Sequence, residues 1–133
     1  WGVDISEWAT ADDNFGGICE AGGKVYAAPC DGSEFLVYNP ANKEVRGLDI
    51  SREATGRFKF GGICAAGGKV YAVPSCAPHL LILNPEDGHL ETVDISHIAT
   101  GKYKFAGICE AQGKVYAAPY DASKLLIYDP ITK

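Results

Sequence analysis

The sequence predicts an all-β fold made of small four-stranded sheets standing side by side. Three observations point to it. The chain repeats with a fixed period: Asp4-Ile5-Ser6 returns as Asp49-Ile50-Ser51 and again as Asp94-Ile95-Ser96, an offset of 45 residues that also links Cys19, Cys64 and Cys109 without a gap. Each copy holds short apolar runs of strand length bounded by Gly, Pro, Asn or Asp. No stretch spaces its apolar residues by three and four over the length a helix requires.

The middle copy shows the elements in order. Phe60 to Ala66 is a run of small and apolar residues that stops at Gly67-Gly68, a pair suited to the positive φ of a tight hairpin. Lys69 to Val73 is the second run and stops at Pro74. Ser75 to Pro78 is a loop. His79 to Leu83 is the third run, ended by Asn84-Pro85. Glu86-Asp87-Gly88 is a turn, and His89 to Ile95 is the fourth run. The first three runs are apolar on both faces, as strands between neighbouring sheets are, whereas the fourth alternates and suits an outer strand partly in water. One helical turn is expected in the link between copies, from Ser51 to Thr55 and from Ser96 to Thr100.

Four-stranded antiparallel sheets repeated radially make a β-propeller. The GGKVYA segment followed by an aliphatic strand and an Asn/Asp-Pro turn resembles a kelch-type blade, and the resemblance covers all three copies. The glycine pair that such blades carry after the tyrosine strand is replaced by Ala28-Pro29, Val73-Pro74 and Ala118-Pro119, so the resemblance implies the architecture and no kelch partner. The whole chain, 1–133, reads as one propeller segment with repeats of about 3–47, 48–92 and 93–133. Residues 1–2, followed by Val3-Asp4-Ile5, have the sequence of a closing fourth strand, which the third copy lacks. Three blades do not close a ring. Each open blade face would expose on the order of 400 Å², worth on the order of 10 kcal/mol of apolar burial. The expectation is therefore half of a six-bladed ring, completed by a second copy as a homo-oligomer or by missing blades of a longer chain.

The 133 residues carry a formal charge of −5, which argues against nucleic acid as a partner. The apolar runs are far too short for a membrane-spanning helix. Five cysteines with no CxxC pair read as small packing residues, which leans toward a reducing compartment. No metal or other cofactor is expected: His79, His89 and His97 occupy unlike positions in the repeat, and no catalytic motif is present. Asp4, Asp49 and Asp94 read as hydrogen-bonding residues that tie a strand to the following loop.

Function is expected where the copies differ on a shared face. Two loops per blade open on one side. The first reads Ala11 to Asn14, Gly56 to Lys59 and Gly101 to Lys104; the second begins after Pro29, Pro74 and Pro119. Polar and aromatic loop residues on a rigid sheet suit recognition. The expected ligand-binding residues are Asp31, Arg57, Lys59, Lys104, Tyr120 and Asp121, the cations meeting anionic groups and the others stacking or hydrogen bonding. The primary reading is a non-catalytic binding or scaffold module for a protein segment or a polar ligand such as a glycan. One alternative is an enzyme with a site at the central channel. The other is a purely structural or designed self-assembling propeller.

Overall fold

The computed structural model describes residues 2–133; Trp1, part of the expected closing strand, lies outside the described residues. Eleven strands form three separate antiparallel sheets, and no helix is present among the described residues. The first sheet is β1 (Phe15–Ala21), β2 (Lys24–Pro29), β3 (Glu34–Asn39) and β4 (Glu44–Asp49). The second is β5 (Phe60–Ala66), β6 (Lys69–Pro74), β7 (His79–Leu83) and β8 (Leu90–Asp94). The third has three strands, β9 (Phe105–Ala111), β10 (Lys114–Pro119) and β11 (Leu126–Tyr128). Neighbours in sequence are neighbours in each sheet, so every connection is a simple hairpin.

The hairpin between the first two strands of each sheet turns on Gly22-Gly23, Gly67-Gly68 and Gln112-Gly113, with φ between 52° and 84°. That left-handed geometry matches the right-handed twist of the flanking strands. A bulge interrupts the pairing between Phe15 and Ile18 and between Phe60 and Ile63, with a matching irregularity at Ala117 and Pro119. It puts an extra residue into the first strand. Phe60 and Phe105, at the bulge, are each buried between two sheets.

The sheets pack face to face through two apolar layers. Phe35, Tyr26 and Ala28 of the first sheet meet Ile63, Val70, Leu81 and Leu83 of the second. Tyr71, Val73, Leu80 and Ile82, on the second sheet's other face, meet Val115, Ala117, Leu126 and Tyr128 of the third. The middle sheet is thus buried on both faces, as its unbroken apolar runs require. The first strands of the three sheets approach so closely that a Cβ on Gly61 would lie 2.7 Å from the Ala106 carbonyl oxygen, and one on Gly16 would strike that of Gly61. The third copy carries Ala106 at this position, and the corresponding strand faces open space: a Cβ on Gly107 would meet nothing within 4 Å.

The links repeat as faithfully as the strands. Ile5, Ile50 and Ile95 each accept two backbone hydrogen bonds from residues three and four ahead, closing the expected single helical turn. The side-chain Oδ1 of Asp4, Asp49 and Asp94 accepts from the amide of Ser6, Ser51 and Ser96, each at 2.9 Å. These aspartates fix a turn locally, and this hydrogen bond holds each carboxyl below its usual range.

Candidate functional site

The link loop and the β2–β3 type loop of each blade are laced together by backbone hydrogen bonds. The amides of Asp31, Cys76 and Asp121 donate to the carbonyls of Asp13, Phe58 and Tyr103 at 2.7 to 2.8 Å. Adjacent blades are joined in the same layer: the amide of Lys59 donates to the Cys30 carbonyl and that of Lys104 to the Ser75 carbonyl. The loop face is therefore a continuous, backbone-bonded surface, rigid enough to hold side chains in place.

Lys59 and Lys104 lie beneath this surface, not on it. They are 2% and 3% exposed. The Lys59 ammonium donates to the carbonyls of Gly56 (2.7 Å) and Asp31 (3.0 Å), and that of Lys104 to the carbonyl of Gly101 (2.7 Å). Burial lowers both pKa values from the ordinary lysine range. The outward-reaching role expected of these two side chains is corrected on this point: both ammonium groups close their own loops by satisfying backbone carbonyls that the turn leaves without an amide partner.

Of the other four expected residues, Arg57, Tyr120 and Asp121 reach the surface, whereas the Asp31 side chain is only 6% exposed. Asp31 and Arg57 form one unit, with Arg57 Nε donating to Asp31 Oδ2 at 3.1 Å. Asp31 Oδ1 accepts from the Phe58 amide at 2.8 Å, and this bond, followed by the guanidinium, holds the carboxyl below its usual range. Arg57 also reaches toward Asp13 at 3.7 Å and lies 5.1 Å from the Phe58 ring centre, a cation–π distance. Tyr120 and Asp121 stand on the third blade, with Tyr120 71% exposed.

Sequence reasoning passed over two residues that complete the surface. Phe58 and Tyr103 occupy equivalent positions in the link loops, and their rings lie 5.6 Å apart, tilted by 55°. Both have positive φ, 51° and 53°, a strained conformation for a bulky side chain. The available signal was the shared pattern in Gly56-Arg57-Phe58-Lys59 and Gly101-Lys102-Tyr103-Lys104, an aromatic held between a glycine and a lysine. With Cys30, Ser75 and Tyr120 they line a shallow, mainly apolar depression of about 260 Å³ beside the start of the inner strands. A larger groove of about 350 Å³ opens at the opposite end of the sheets, against Tyr26. The rim residues Asn39 and Asp87 there are engaged in their own turns, accepting from Ala41 and His89 amides. Among the described residues, no group of three or more His, Cys, Asp or Glu is placed to hold a metal ion, and no helix is long and apolar enough to cross a membrane.

Three stacked sheets with short hairpins also occur in larger solved structures. The chain is similar to the extracellular domain of a B. thetaiotaomicron protein described as a one component system (TM-score 0.67, 16% identity, 92% of this chain and 16% of that chain). It is similar to hydrazine synthase of Kuenenia stuttgartiensis (TM-score 0.68, 12% identity, 99% of this chain and 37% of that chain). It is also similar to a catalytically inactive virginiamycin B lyase from Staphylococcus aureus bound to quinupristin (TM-score 0.65, 14% identity, 95% of this chain and 45% of that chain). These are propeller-like folds, and the chain spans less than half the length of each. At such identities the likeness is one of fold, which does not carry activity with it. No protein-family model and no curated protein matches the chain.

Proposed function

We propose that this chain is a non-catalytic recognition module that binds a polar ring-bearing ligand, a glycan, on its loop face. On this reading the sheets are kelch-like blades of a six-bladed ring, and the ligand lies near the mouth of the central channel. The observation that carries the reading is the group Phe58, Tyr103 and Tyr120 beside the fixed Arg57–Asp31 pair. Aromatic faces take the apolar face of a sugar ring, while a guanidinium and carboxylates hydrogen bond its hydroxyls. Strain retained at two aromatic positions is the kind of feature that clusters at ligand sites.

The test is a glycan and peptide array followed by calorimetry on the best glycan. Replacing Tyr120 by Ala should weaken binding about tenfold or more, the usual cost of truncating an aromatic anchor. Its exposure means that the melting temperature should stay put. Full affinity in Tyr120→Ala, or an array in which only peptides bind, would overturn the glycan reading.

A further inference from the structure

The two outer sheets leave complementary faces open. On the first sheet, Ile18, Val25, Ala27, Leu36, Tyr38 and Val45 line an apolar depression together with Val3 and Ile5. They stand where Ile63, Val70, Ala72, Leu81, Leu83 and Leu90 of the second sheet pack against the first. On the third sheet, Leu125 and Ile127 are 52% and 55% exposed. Their equivalents Leu80 and Ile82 are 0% and 3% exposed, because another blade covers them. Each chain thus carries both halves of a contact that it already makes twice internally.

The third sheet has a second free feature. In the first two sheets the third strand is paired on its outer side with β4 or β8, while β11 is an edge among the described residues. A groove of about 370 Å³ runs beside it, bordered by Val93, Ile95, Ile98 and Leu126. The fourth-strand sequence that would fill it is at the other end of the molecule: Val3-Asp4-Ile5 corresponds to Leu48-Asp49-Ile50 and Val93-Asp94-Ile95. Leu48 and Val93 each contact the blade that follows their own. Val3 lies against the first sheet in the same way. The first and second sheets stand between residues 3–5 and β11, so the two do not pair within one chain.

We propose that two copies of this chain close head to tail into a six-bladed ring, with residues 2–4 of each copy pairing as the fourth strand on β11 of the other. The observed registers Leu80↔Val93 and Phe35↔Leu48 transfer directly. They set Leu125 opposite the partner's Val3, Leu126 opposite the partner's Gly2, and Lys124 opposite the partner's Asp4, a pair of opposite charge. Among multiples of three blades, six alone falls within the four to eight that propellers use. Two seams with four faces of about 400 Å² each bury on the order of 1,600 Å², the size of a stable specific interface.

Light scattering on the 133-residue chain should give twice the mass of one 14.1 kDa chain. A monomer, or any larger assembly, overturns the proposal. Ile18→Asp and Leu125→Asp sit on opposite faces, both solvent-exposed in the single chain, so each variant should fold. Each alone should raise the dimer dissociation constant by about a hundredfold or more, the loss expected on placing a charge in an apolar interface. A dimer that tolerates either substitution is face-to-face with its own kind and overturns the head-to-tail arrangement. Directly opposed residues lie within disulfide reach. Val3→Cys combined with Leu125→Cys should therefore form a disulfide between chains, identified by mass spectrometry of the linked peptides. A dimer without that link overturns the strand exchange. None of these measurements involves the loop face, so their failure is separate from failure of the glycan reading.

Discussion

At the residue scale, Lys59 and Lys104 show how a loop builds its own support. Each ammonium replaces the amide donors that a strand would have supplied to the carbonyls of Gly56, Asp31 and Gly101. Replacing Lys59 by Met keeps most of the stem and removes the donors. The expected loss is about 1–3 kcal/mol, the cost of leaving buried carbonyls unsatisfied, measured by urea unfolding. The two lysines also mark where reading the sequence fails. A lysine in a loop reads as solvated, and its burial is created by residues far away in sequence, Cys30 and Asp31 for Lys59. Asp31 and Arg57 are likewise distant in sequence, yet both stand at positions where the copies differ, in loops that share one end of the sheet. Phe58 and Tyr103 share a visible pattern in their loops, but their left-handed backbone leaves no trace in residue type when the residue is aromatic.

At the element scale most of the structure was legible. Strand limits follow the Gly, Pro and Asn stops, and the middle blade departs from its expected limits only at the end of the second run and at the two ends of the fourth. The bulge near Gly16 and Gly61 was not legible, because two small residues in a strand look alike whether they are paired or inserted. The cysteine strands carry a pH dependence of their own. Burial raises the Cys64 thiol from 9.0 to about 12 and that of Cys19 to about 11. A thiol held neutral in the folded chain and free to ionise in the unfolded one stabilises fully below pH 9. That contribution is lost as pH rises toward about 12. Denaturant midpoints should therefore fall on titration above pH 9, and Cys64→Ala should flatten the decline. An unchanged slope in that variant would assign the alkaline limb to other groups.

At the scale of the whole molecule, the period alone defines a row of identical units, since each strand set recurs after 45 residues. What a row of three does not define is its own closure, which on the proposal above comes from a second copy. A ring built from two chains has a stability tied to concentration. Its midpoint on heating should rise by about 3 °C for each tenfold increase in protein, measured by scanning calorimetry, whereas a lone arc would melt at one temperature throughout. Ala106 then takes on a particular meaning. It stands where Gly16 and Gly61 admit the neighbouring carbonyl, so its methyl would hold the next inner strand farther off. The two joints between chains would be wider at the hub than the four joints within them. The wheel would be oval, and dilution or heat would part it along those two lines, releasing intact halves rather than loose blades.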